Sequence, residues 1–224
     1  MACGPGHFSL GLISRLGFDT VAGVDLCPQM IEAARRNAAR AGVVNVDFVQ
    51  GDVTDLELMH GRTYDLVSLT MAAHHLAGLD TVSRALRGMD RLASASGIVF
   101  VLDLARLKSA WLTDRCVEAV AADYRTLGLD NLLDEFHDSI RAAWTVAELQ
   151  SAVPSTSRRA WWQIVPRGLP LVQVLLGVPA MRNRPLVRPA PVWPEDDHPV
   201  PGRMRTDWRL LRTALALGRH RRIA

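Results

Sequence analysis

Of the 224 residues only three are cysteines, Cys3, Cys27 and Cys116, and one is a lysine, Lys108. The cysteines have neither paired nor ligand-like spacing, so no disulfide framework or zinc site is expected and a reducing, cytoplasmic compartment is the default. No run reaches the roughly 18 uninterrupted apolar residues of a transmembrane helix. The most apolar segment, Ile164 to Val178, is broken by Pro166, Arg167 and Pro170. The start lacks a basic segment followed by an apolar one, which argues against a signal peptide. The chain also has little net charge, +3, and that charge is uneven. Seven arginines against one aspartate fall in residues 201–224, so the first 200 residues carry a net −3. A mildly acidic body is a poor nucleic-acid face, and the basicity belongs to a tail.

What is present is an alternation of strand-like and helix-like stretches, enough to bury one full core. Met1-Ala2-Cys3-Gly4-Pro5-Gly6 is a glycine-spaced turn, and Phe8, Leu12, Ile13 and Leu16 follow as the apolar stripe of a helix closed by Gly17. Thr20–Asp25 is a short apolar run ending in a carboxylate, the form of a buried parallel strand. Pro28 opens a second helix whose buried side is Met30, Ile31, Ala34 and Ala38. Val44–Gln50 reads as a strand followed by Gly51-Asp52, and Tyr64–Thr70 as a strand followed by the loop Met71–Leu76. Leu79–Leu92 is helical, and Gly97–Asp103 is an apolar, central strand. The pattern predicts an α/β fold with a Rossmann-like, doubly wound, mostly parallel sheet.

Beyond it, Trp111–Leu127 has helical spacing, and Thr145 with Glu148 three residues on reads as a capping box. Ala160–Val165 and Leu169–Leu176 form a C-terminal β-hairpin at the sheet edge. Seven prolines then fall between Pro179 and Pro201. This divides the chain into a domain at 1–178, a Pro-rich linker or arm at 179–203 and a basic tail at 204–224, with a short helix over Thr206–Leu217.

The functional signal is the spacing of strand ends. The turn offers backbone N–H groups, and Asp25, nineteen residues after Gly6, stands where a carboxylate accepts both hydroxyls of a ribose. Asp52 is placed to accept from an exocyclic amine such as adenine N6. Thr70 and the His74-His75 loop stand at the end of the Tyr64–Thr70 run. His74 and His75 are weak catalytic candidates: a histidine can take a proton from a hydroxyl, but packing or helix capping is the simpler role. No acidic or cysteine partner stands at ligand spacing, so no metal site is expected. Trp161 and Trp162, adjacent on a strand, point to opposite faces and are expected in the core.

On the stretches Ala2–Ser9, Val24–Met30, Gly51-Asp52, Tyr64–Val67 and Ala73–Leu76, the chain resembles class I S-adenosylmethionine-dependent methyltransferases of the UbiE-like, type 11 small-molecule group. The resemblance covers about residues 1–105 and continues more loosely to the hairpin. It implies S-adenosyl-L-methionine as cofactor. It also implies cofactor contacts from Ala2, Cys3, Gly4, Gly6, Asp25, Leu26, Met30, Asp52, Val53 and Thr70, and a small-molecule methyl acceptor whose identity, like the oligomeric state, is open. The family's first strand, with its acidic end, would precede Met1 and is absent here; a truncated or degenerate domain without activity is the alternative. A nicotinamide-dependent oxidoreductase is a further one, but Ser9 stands where a third glycine would be needed. The run Ser68-Leu69-Thr70-Met71 is not the Asn/Asp-Pro-Pro-Tyr/Phe type of loop used on nucleobase amines, and there is no Pro-Cys pair for cytosine attack.

Overall fold

A computed structural model of the chain describes residues 1–126, 128, 130–166, 169–180 and 219–223. It divides into two compact units, Met1–Arg62 with Ala180–Arg209, and Thr63–Pro179 with Leu210–Ala224.

In the first unit, helix α1 (His7–Leu16) leads to strand β1 (Val21–Asp25), helix α2 (Pro28–Arg40) and strand β2 (Val46–Gln50). The two strands are parallel, with Asp25 opposite Gln50. A helical crossover is what permits parallel pairing, because a tight turn would reverse the chain. Pro28 does open α2 at its first position. Ile31, Ala34 and Ala38 from α2 close on Phe48 of β2, with Cys3, Leu10 and Val46 packed around them. Two details depart from the periodic reading. Phe8 and Leu16 of α1 and Met30 of α2 are exposed, while Ser9 and Leu12 face inward. The short α1 rolls its stripe toward β1 by about one position, which a hydrophobic period alone does not resolve.

In the second unit, β3 (Tyr64–Thr70), α3 (Leu79–Leu92) and β4 (Ala93–Leu104) form a parallel βαβ turn. The long strand β4 begins four residues before the expected Gly97, directly from the end of α3, and its register against β3 shifts between Tyr64 and Leu66. Helices α4 (Ala110–Thr126), α5 (Asp130–Ala142) and α6 (Val146–Ser151) follow, then β5 (Arg159–Val165), β6 (Val172–Pro179) and β7 (Arg219–Ile223). The sheet order is β3-β4-β6-β5-β7, parallel at β3–β4 and antiparallel beyond. The hairpin therefore inserts β6 against β4, and β7 takes the edge that the hairpin was expected to hold. Residues 219–223, read from the sequence as basic tail, are strand. The linker expected from 179 begins inside β6, which runs to Pro179; its residues from 181 on, and the helix over Thr206–Leu217, lie outside the described residues.

The capping box is formed as expected: Thr145 Oγ1 accepts from the Glu148 N–H, and the Glu148 carboxylate accepts from the Thr145 N–H at 2.7 Å. The Thr145 N–H donated to it, with Arg106 alongside, holds the Glu148 carboxyl below its usual range. Leu104, Val117, Ala121, Leu133, Ile140, Ala143 and Leu171 make the core under α4 and α5. Trp161 is buried, donates its indole N–H to Ser157 Oγ and lies against Gly177, as a core residue. Arg159, with no forewarning in the sequence, donates to Asp90 at 2.9 Å and to the carbonyls of Ala93 and Ser94, tying β5 to the α3–β4 junction. No described helix is long and apolar enough to cross a membrane.

Candidate active site

In the first unit the glycine turn is built around Asp25. Its Oδ2 accepts from the Gly4 N–H at 2.7 Å and its Oδ1 from the Cys27 N–H at 3.0 Å. The Asp25 carbonyl accepts from Gly51 N–H, and the Val24 carbonyl from Cys3 N–H, both at 2.9 Å. One strand end thus fixes the turn before α1, the first residue of the approach to α2 and the loop after β2. Asn37 of α2 adds a side-chain bond to the Pro5 carbonyl at 2.9 Å.

Gly6 has φ +82, and a Cβ there would lie 2.8 Å from the Phe48 ring and 3.0 Å from Ala34. Only glycine fits. Gly4, at φ +51, meets nothing within 4 Å, so the turn keeps an open face beside Asp25. Ala2 holds a left-handed φ of 47 without being glycine. Such strain concentrates where backbone groups are presented to a ligand. Burial pushes the Cys3 thiol up to about 11, so it is a packing group and not a nucleophile.

Leu26 and Met30 are exposed beyond the end of β1, while Val53 is buried. Asp52 is exposed, and its Oδ1 accepts from the Thr54 N–H at 2.8 Å. The structure thus gathers nine of the ten expected cofactor residues, Ala2, Cys3, Gly4, Gly6, Asp25, Leu26, Met30, Asp52 and Val53, in one unit.

Thr70, the tenth, ends β3 in the second unit, paired with Leu102. Met71 follows with φ +52, its N–H bonded to the Leu102 carbonyl at 2.8 Å, and its side chain is exposed. The loop then makes a single 3₁₀ turn, Ala73–His75. His74 is buried, and its neighbour His75 is exposed with the two rings 4.1 Å apart. The imidazole of His74 has a partner that the sequence did not announce. Asp103, 1% exposed near the end of β4, accepts from His74 Nδ1 at 2.6 Å and from the His74 backbone N–H at 2.9 Å. The Leu104 N–H completes the set at 2.7 Å. The one signal for it was a carboxylate ending an otherwise apolar strand, since a buried charge needs partners. Burial, and then the neighbouring His74, lower the pKa of His75 below the usual imidazole value. Trp144 donates its indole N–H to the Ala73 carbonyl at 2.9 Å, which fixes a half-buried ring beside the loop. Among the described residues no cluster of His, Cys, Asp and Glu is arranged to hold a metal ion.

The donor set of the first unit fits an adenosyl ligand. Each carboxylate oxygen of Asp25 has a second lone pair beyond its backbone bond, enough for two ribose hydroxyls. Gly4 leaves room for close approach, and Asp52 retains a free carboxylate oxygen for an amine.

Residues 1–97 match the family model described as a methyltransferase domain. No curated protein sequence matches the chain. Among solved structures, an O-methyltransferase family protein from Burkholderia thailandensis superposes with TM-score 0.56 at 18% identity, over 79% of this chain and 48% of that one. This chain therefore spans about half of that protein's length. A Pyrococcus horikoshii OT3 protein gives TM-score 0.54 at 19% identity, over 80% of this chain and 79% of that one. The plantazolicin methyltransferase BpumL, solved with a monoazolic desmethylPZN analog and SAH, gives 0.57 at 13% identity, over 79% of this chain and 73% of that one. At these identities the likeness is one of fold.

Proposed function

We propose that this chain, whose residues 1–97 match a methyltransferase-domain model, is a class I S-adenosylmethionine-dependent methyltransferase that transfers a methyl group from S-adenosyl-L-methionine to a small-molecule acceptor. The observation that carries this reading is the Asp25 hub. A strand-end carboxylate bonded to the N–H groups of Gly4 and Cys27 keeps acceptor capacity on both oxygens beside an open glycine face.

Asp25 holds the ribose hydroxyls, Asp52 accepts from the adenine amine beside Val53, and the turn Ala2–Gly6 lies under the amino-acid end. Leu26 and Met30, exposed next to Asp25, cover the apolar faces of the ligand. When bound, the cofactor supplies an electrophilic methyl carbon on sulfur. The chain's own task is mostly positional, because alignment of two reactants is itself worth many orders of magnitude. The small-molecule class is supported by the mildly acidic body and by a β3 end without the loop types used on nucleobases. Three free cysteines suit a reducing, cytoplasmic setting.

Titration calorimetry of the purified full chain with S-adenosylhomocysteine and with NAD tests the reading. Heat with the first and none with the second is expected. Heat with NAD alone would restore the oxidoreductase alternative, and heat with neither would favour an inactive domain.

A further inference from the structure

We propose that Asn37 of α2 is a positioning residue for the cofactor: by holding the Pro5 carbonyl it fixes the turn that receives the ligand's amino-acid end. The inference rests on the methyl-transfer reading above and stays within the first unit.

Asparagine is a poor residue for a helix interior, because its amide competes for nearby backbone groups. Asn37 nevertheless stands well inside α2, beside the buried Ala34 and Ala38. Its side chain is half-buried, and Nδ2 donates to the Pro5 carbonyl, 32 positions earlier, at 2.9 Å. A carbonyl oxygen can only accept, so the amide nitrogen of Asn37 must be the atom that faces it.

The bond matters because of what the Pro5–Gly6 peptide is otherwise free to do. Proline has no N–H to tether it, and glycine tolerates either sign of φ, so the two residues do not fix the peptide between them. Here both ends of that peptide are held, the carbonyl by Asn37 and the Gly6 N–H by the Cys3 carbonyl at 3.0 Å. Gly6 is thereby kept at φ +82, and Ala2 and Gly4 are left-handed as well, at φ 47 and 51. A turn with three such residues needs bonds from outside it. The Val24 carbonyl and Asp25 Oδ2 hold it from β1, through the N–H groups of Cys3 and Gly4, and Asn37 holds it from α2.

These bonds close a ring. Asp25 also takes the N–H of Cys27, the residue that opens α2. The helix is thus tied to the strand-end carboxylate at its start and to the glycine turn further along. Committed to α2, the Pro5 carbonyl is not offered to the ligand's carboxylate, which it would repel. The ribose is held by the Asp25 oxygens themselves and does not need the Pro5–Gly6 peptide in one orientation. Asn37 therefore acts on one end of the ligand and spares the other.

Titration calorimetry of the full chain with two probes tests this. S-adenosylhomocysteine carries the amino-acid end, and 5′-methylthioadenosine keeps the adenosine and the sulfur without it. Asn37→Ala is expected to weaken S-adenosylhomocysteine binding about 10-fold, the scale of one hydrogen bond, and to leave methylthioadenosine binding unchanged. Asn37→Asp keeps the shape but sets a carboxylate against the carbonyl, so its loss on S-adenosylhomocysteine should be at least as large. Equal loss on both probes, or no loss on S-adenosylhomocysteine, would overturn the proposal. Wild-type protein with 15N-labelled asparagine gives a reading independent of any variant's folding. The Asn37 side-chain amide resonances are expected to shift with S-adenosylhomocysteine and to stay in place with methylthioadenosine; any other pattern sinks the idea. Failure of the wild type to bind S-adenosylhomocysteine would strike the methyl-transfer reading, and this inference with it.

Discussion

Each unit of the molecule ends a strand in a carboxylate, and the two carboxylates have different occupations. Asp25, at the end of β1, is part-buried and bonded to backbone N–H groups alone, those of Gly4 and Cys27. Asp103, near the end of β4, is almost wholly enclosed and spends one bond on an imidazole. The partly open group keeps lone pairs for a ligand. The enclosed one has its capacity committed and acts on the side chain it holds. The same residue type at the same kind of position keeps acceptor capacity open in one unit and is committed to an imidazole and backbone N–H groups in the other, and burial decides between them.

That contrast predicts unequal costs of removal. Asp103→Ala leaves the buried His74 N–H groups and the Leu104 N–H without an acceptor, so a loss of about 3–5 kcal/mol in chemical denaturation is expected. A loss below that of Asp25→Ala would break the comparison. Gly6→Ala places a methyl group 2.8 Å from the Phe48 ring at a left-handed φ, for about 2–3 kcal/mol of stability by the same measurement. Asp25→Ala is expected to weaken S-adenosylhomocysteine binding by about 1.5–3 kcal/mol in calorimetry, with a smaller change in unfolding free energy. Equal effects on binding and folding would mean that the hub serves the turn more than the ligand.

Thr145→Ala removes one half of the α6 capping box, far from either carboxylate's role. A loss of about 1 kcal/mol in the denaturation midpoint is expected, with no change in ligand affinity. The smallest effect concerns pH. The folded-state pKa of His75 lies below its unfolded value, so below about pH 6.5 the unfolded chain binds the proton more readily, and stability is lost as pH falls through that window. His75→Gln should flatten that part of a stability-versus-pH curve, and an unchanged slope would assign the acid loss elsewhere.

Much of the fold is legible in the residues themselves. The helix Leu79–Leu92 has the bounds its periodicity predicts, β1 ends at Asp25, and the Thr145–Glu148 pair closes as a capping box. These are local features: spacing, a proline at a helix start and a hydroxyl three residues from a carboxylate act within one or two turns of chain. Helix α5 was not read from the sequence, although Gly128, at φ +67, stands between it and α4. The register of β4, its start at Ala93 and the strand Arg219–Ile223 depend on what pairs alongside them. Basic residues read as a solvated tail when their partner strand, β5, is out of view.

The candidate site divides in the same way. Gly4, Gly6, Asp25 and Asp52 announced themselves by spacing, because a ligand-binding turn and the strand ends around it recur at nearly fixed sequence distances. His74 was a weak catalytic candidate in the sequence, and its partner Asp103, 29 positions away, was not announced there. The sequence by itself determined the alternation of elements, the glycine turn and the residue types offered at the strand ends. The tertiary structure alone decided that Asp25 stays available while Asp103 is enclosed. Burial and partnership arise from packing between distant segments, and they set which proton a group can hold and which hydrogen bonds it has left to give.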